Sequence, residues 1–108
     1  MNKQLKVLII NGSPRVGGNT SVALREMETV FNEQGVETEI VQIGAEPVRG
    51  CASCGYCYEH DRCVFDDVVN TLAPKFEAAD GLVVASPVYF ANANATLVAC
   101  LDRLFYST

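Results

Sequence analysis

The 108 residues suffice for one small domain, and a composition of 49% hydrophobic and 19% charged residues can build a packed core, which excludes a disordered chain. Eight Lys and Arg against thirteen Asp and Glu leave a net charge of −5, which argues against nucleic acid as a partner but stays compatible with one bound phosphate. No apolar run approaches the ~20 residues of a membrane span, and the short apolar run after Met1–Gln4 cannot serve as a signal-peptide core, so a cytoplasmic protein with no membrane partner is expected.

The first element is read over Leu5 to Ile10 (LKVLII), apolar and β-branched almost throughout and followed by the turn formers Asn11-Gly12-Ser13-Pro14. This is the pattern of a strand buried on both faces. Ala23, Leu24, Met27, Val30 and Phe31 then recur at helical spacing, with Asn19 or Thr20 able to cap the start and Gly35 placed to end it. A second strand over Glu37 to Ile43 mixes Thr38, Glu39 and Gln42 with Ile40, Val41 and Ile43, as an edge strand does. From Gly44 to Cys63 the apolar periodicity lapses, and a cysteine-rich loop is expected over 44–65.

Asp66 and Asp67 open a third pattern carrying Val68, Val69, Leu72 and Phe76, which Pro74 is expected to kink or split. Gly81 to Ser86 (GLVVAS) reads as a further strand buried on both faces, ending at Pro87. A last helical stripe follows, with Leu97, Val98, Leu101, Leu104 and Phe105, capped by Asn92 or Asn94. Strands alternating with helices imply parallel strands joined by right-handed crossovers, hence an α/β, doubly wound parallel sheet of strand order 2-1-3. Ligands of such sheets bind beyond the carboxyl ends of the strands, which points to Asn11–Ser21 and Ser86–Asn92.

Three segments there carry chemistry. Gly12 to Ser21 joins a buried strand to a helix N-terminus, where unpaired N–H groups, glycines, the hydroxyls of Ser13, Thr20 and Ser21 and the charge of Arg15 suit a terminal phosphomonoester. Gly18 and Asn19 stand where a nucleotide-hydrolysing Walker loop needs Lys and Ser or Thr, so a nucleotide hydrolase is not expected. Cys51, Cys54, Cys57 and Cys63, spaced x2, x2 and x5, can converge on one centre; the spacing admits a [4Fe-4S] cluster, tetrahedral zinc or metal-free thiols. Cys100 falls beside a helix stripe and reads as a small buried hydrophobe, and His60 as a solvated loop residue. Pro87 fixes the backbone before Tyr89 and Phe90, whose rings either cover the sheet end or line a planar heterocycle.

Taken together, K-V-L-I-I-N-G-S-P-R at 6–15, G-N-T-S at 18–21, the cysteine run followed by Asp66-Asp67, A-D-G at 79–81, S-P-V-Y-F at 86–90 and L-D-R at 101–103 resemble the flavodoxin-like NAD(P)H-dependent FMN reductase family, in particular its iron-sulfur flavoprotein branch. The resemblance implies that Ser13, Arg15, Asn19, Thr20 and Ser21 hold the FMN phosphate and that Pro87, Val88, Tyr89 and Phe90 contact the ribityl chain and isoalloxazine. It also implies that Cys51, Cys54, Cys57 and Cys63 match the cluster motif. The implied activity passes electrons from NAD(P)H or a ferredoxin-like donor through FMN to a flavin, quinone or other acceptor, with no side chain acting as acid or base. An FMN-binding electron carrier and a flavin-free metal-binding or interaction module are the alternatives. Similar families continue with two more strand-helix units and often form homo-oligomers. Residues 1–108 are therefore expected to be the amino-terminal part of a single flavodoxin-like FMN-binding domain, or to have their sheet completed by another chain.

Overall fold

The structure, a computed structural model, describes residues 4–15, 17–89 and 91–107. Strand β1 (Lys6–Asn11) lies between β2 (Glu37–Gln42) and β3 (Gly81–Ala85), paired in parallel with both, so that Ile9 stands beside Ile40 on one side and Val83 on the other. The order is β2-β1-β3, as expected for a doubly wound sheet. Leu8, Ile9 and Ile10 are buried, which answers for the unbroken apolar run of β1.

Leu8 and Ile10 share a core with Ile43 and with Val69 and Leu72 of α3 (Val68–Ala78) and Leu97, Cys100 and Leu104 of α4 (Ala95–Ser107). Burying each large aliphatic side chain stabilises the fold by about 1.5–3 kcal/mol. Ile9 points to the opposite face, the side of α1 (Asn19–Glu33), where Leu24 is buried. Gly35, at φ +78°, ends α1 in the left-handed conformation that glycine adopts without a Cβ penalty.

Several expectations are corrected. Helix α1 starts at Asn19, one or two residues earlier than a cap at Asn19 or Thr20 would allow; Gly18 holds the cap position, and among the described residues no side chain caps that end. Of the expected α1 stripe only Leu24 is buried, Met27 and Val30 being 40% and 52% exposed, because the described sheet is too narrow to cover the rest of the helix. Nor is β3 buried on both faces. Val84 is 41% exposed, since β3 has no further strand beside it among the described residues. Pro74 does not split α3, which continues to Ala78 with Asp67 as N-cap, its Oδ1 accepting from Val69 N at 3.1 Å. The cysteine-rich loop contains a short helix, α2 (Tyr56–His60), and the segment after β3 folds into a small antiparallel ribbon of β4 (Val88–Tyr89) and β5 (Asn92–Ala93).

Candidate functional site

At the carboxyl end of the sheet, Gly12 N donates to Ala85 O at 2.7 Å and Ile43 N to Asn11 O at 2.9 Å, so the loops leaving all three strands begin side by side. Three side-chain amides then splint the loop after β1. Asn11 accepts from Ser13 N at 2.9 Å and donates to Ser21 Oγ at 3.0 Å. Gln42 Nε2 donates to both Ser13 O and Arg15 O, at 2.9 and 3.0 Å. Asn94 donates to Gly12 O, accepts from Leu97 N at 3.0 Å as the α4 cap, and donates its own N–H to Ser86 Oγ at 2.9 Å. Gly44 must be glycine because a Cβ there would run into the Ser13 backbone.

The expected phosphate ligands fall into two groups. Ser13 and Ser21 are buried and built into the loop, Ser13 Oγ accepting from Arg15 N at 3.1 Å and Ser21 Oγ from Asn11. Arg15 and Asn19 are exposed and Thr20 half-buried, beside an α1 N-terminus that no side chain caps among the described residues. Its first-turn N–H groups and partial positive charge are therefore open to an anion. Pro87 is half-buried and Val88 exposed on the neighbouring loop, with Tyr89 continuing β4; Phe90 lies outside the described residues.

All four clustered cysteines line one cavity, together with Gly55, Phe65, Arg103 and Tyr106. Left-handed backbone at Ser53, Gly55 and Asp61 bends the loop around it. Cys63 is the most firmly held of the four: Asn70 accepts from Cys63 N at 3.1 Å and donates to Cys63 O at 3.0 Å, and Arg103 Nε donates to Cys63 Sγ at 3.3 Å. Cys57 Sγ lies 3.8 Å from Tyr106 O, and Ser53 N donates to Cys51 Sγ at 3.4 Å. Neither carboxylate nor imidazole lines the cavity, so the donor set suits a thiolate-bound centre. The cavity holds about 20 Å³, the room of one water, and among the described residues no three Cys, His, Asp or Glu side chains are arranged to hold one ion. His60 is exposed, as expected, but it ends helix α2 instead of lying in a loop, its ring stacked on Tyr56 with centroids 3.8 Å apart.

In the sequence Arg103 stands out only as part of L-D-R, yet it is 1% exposed and forks onto Asp67 at 2.7 and 2.9 Å. Burial works against its charge, but the bonds to Asp67 and Cys63 outweigh that and raise its pKa further above the usual arginine range. A lone arginine among Leu97, Leu101 and Leu104 was the signal for it. Gln42 and Gly44 had no signal, because their partners lie far away in the chain, and Asn70 had none because its partners Cys63 and Phe65 are met through their backbone, which carries no residue pattern. A larger depression of about 270 Å³ lies near the other end of β1, but its lysines are engaged, Lys75 with Glu39 at 2.6 Å and Lys6 with Glu37 at 3.9 Å.

Residues 5–108 match the NADPH-dependent FMN reductase family. The chain is 42% identical over 99 residues to an iron-sulfur flavoprotein of Methanosarcina thermophila and 37% identical over 99 residues to one of Methanocaldococcus jannaschii. Each match covers 92% of this chain, and 52% and 51% of those relatives. It is 28% identical over 105 residues to an FMN-dependent NADPH-azoreductase of Staphylococcus saprophyticus, covering 93% of this chain and 52% of that protein. The chain thus spans about half the length of these relatives. Sheet order, loop placement and similarity along nearly all of its residues agree: the chain belongs to the NADPH-dependent FMN reductase family, on its iron-sulfur flavoprotein branch.

Proposed function

We propose that this chain forms the FMN-binding part of an oxidoreductase that passes electrons from NAD(P)H or a ferredoxin-like donor to a flavin, quinone or other acceptor. The observation that carries the reading is the meeting of two loops at the carboxyl ends of β1 and β3, joined through Gly12–Ala85 and Asn94–Gly12, beside an α1 N-terminus open to an anion. Arg15, Asn19 and Thr20 would meet the FMN phosphate directly, with Ser13 and Ser21 shaping the loop and offering hydroxyls. Pro87, Val88, Tyr89 and Phe90 would line the ribityl chain and ring. When bound, FMN supplies the two-electron and one-electron redox chemistry that no side chain here provides. Cys51, Cys54, Cys57 and Cys63 would hold a [4Fe-4S] cluster, which supplies one-electron transfer when present.

The five cysteines are all free thiols, which suits a reducing cytosol. The reading includes residues 1–108 as the amino-terminal part of one flavodoxin-like domain, in a protein that forms homo-oligomers. Its test is the absorbance of the full-length natural protein, followed by NADH and NADPH oxidation. Flavin bands together with turnover of either nucleotide are expected. Flavin without turnover would favour an electron carrier, and a colourless protein that binds zinc would overturn the redox reading.

A further inference from the structure

The guanidinium of Arg103 uses its N–H groups on five acceptors around the cysteine cavity. Nη1 donates to Asp67 Oδ2 at 2.7 Å and to Arg49 O at 3.2 Å; Nη2 donates to Asp67 Oδ1 at 2.9 Å and to Phe65 O at 2.7 Å; Nε donates to Cys63 Sγ at 3.3 Å. The fork onto Asp67 fixes the plane of the group, and Asp67 is itself fixed as the cap of α3. One direction is then left for Nε–H, and it points at the sulfur. Phe65 stacks against both Arg103 and Arg49, at 5.2 and 4.4 Å from ring centroid to guanidinium carbon, closing that side.

A buried arginine already neutralised by a carboxylate adds little net charge to its surroundings. What it adds at Cys63 is a directed N–H dipole. A donor aimed at a ligand sulfur withdraws electron density from it and so favours the reduced, more negative state of the centre that sulfur binds. We infer that Arg103 is a positioning residue that raises the reduction potential of the iron-sulfur centre at Cys63, with Asp67 both orienting it and moderating its charge. This rests on the cluster reading above. The step concerned is the entry of one electron into the cluster from the reduced flavin or a ferredoxin-like donor; no bond forms or breaks and the centre gains one negative charge.

The two partners of one ion pair should therefore act in opposite directions. Arg103→Lys keeps a cation for Asp67 but has no second donor geometry for Sγ. It should lower the reduced-to-oxidised ratio about tenfold at a fixed potential, a shift of about 59 mV to the negative for one electron. Asp67→Asn keeps the cap oxygen for Val69 and leaves Arg103 without its counter-charge, so its midpoint should move to the positive. The measurement is a potentiometric titration of the reconstituted full-length protein, read by electron paramagnetic resonance, with iron and FMN contents determined on each sample. Mere loosening of the loop would shift both variants the same way, and that result overturns the inference, as does an unchanged midpoint in Arg103→Lys with the cluster intact. Should Arg103→Lys fail to fold or take up iron, Asp67→Asn alone decides by its sign. A wild-type protein that takes up no iron removes the cluster reading and this inference together, whereas a normal cluster indifferent to both substitutions leaves the cluster reading standing.

Discussion

At the scale of single residues, the five cysteines divide by environment. Cys100 is fully buried in the core, whereas Cys51 and Cys54 are exposed. Burial, with a smaller push from Asp67 and an opposing pull from Arg103, raises the Cys100 thiol from 9.0 to about 11. The neutral thiol is thus favoured by the fold: its contribution is fully present below pH 9 and is lost as pH rises toward 11. Denaturant titrations of the natural protein and of Cys100→Ala should show the wild type losing on the order of 2 kcal/mol more than the variant between pH 8 and 11. Tyrosines and lysines titrate in both chains, so the difference isolates Cys100; parallel curves would show that the thiol is not held neutral. The sequence already marked Cys100 as a core hydrophobe, because its position beside the Leu97 and Leu104 stripe is a local property. Arg103, three residues on, could be seen only as out of place. Its partners Asp67, Cys63 and Arg49 are brought to it by the fold.

At the scale of elements, three strands and their helices were legible because their signals are periodic and local. The β4–β5 ribbon was not, since two-residue strands carry no period and Ala91 turns the chain at φ +61° without a glycine. Helix α2 is only Tyr56–His60, enclosed by left-handed residues at both ends, too short to show a stripe among cysteines. Pro74 does not split α3, which stays continuous to Ala78 with Val69 and Leu72 packed in the core. For the loop between β1 and α1, the residue types point to the proposed anion site. The division of labour, Ser13 and Ser21 inward and Arg15, Asn19 and Thr20 outward, depends on Asn11 and Gln42 reaching back across the sheet end. That division makes Arg15 the clearest probe of the element. Arg15→Ala removes an exposed cation that splints nothing by its side chain, so FMN should bind about tenfold more weakly while riboflavin, which lacks the phosphate, binds as before. Fluorescence titration with both flavins measures the ratio. An equal loss for both would mean that the substitution distorts the loop, and no loss for either would place the phosphate elsewhere.

At the scale of the whole molecule, the described surface has apolar features on both sides of the sheet. Val22, Met27 and Val30 of α1 stand exposed on one side, and Val98 and Phe105 of α4 on the other. Between them runs β3, with Val84 turned to solvent and no strand paired along its outer edge among the described residues. Parallel sheets normally have both faces covered by helices, and an apolar strand with a free edge readily pairs with another chain. Only a cover for the β3 edge and for the outer faces of α1 and α4 removes these exposures together, and further strand-helix units or a second copy would each provide one. The isolated 108-residue chain should accordingly self-associate. Sedimentation velocity should give a mass above 11.7 kDa that rises with concentration, with bound hydrophobic dye fluorescing on the associated material. In a longer chain that carries the further strand-helix units proposed above, the same dye should find little surface, and FMN should bind more tightly because more of its ring is enclosed. A stable 11.7 kDa monomer that leaves the dye dark and binds FMN as tightly as such a longer chain would show instead that the three-strand sheet is self-sufficient, its apolar edge tolerated rather than covered.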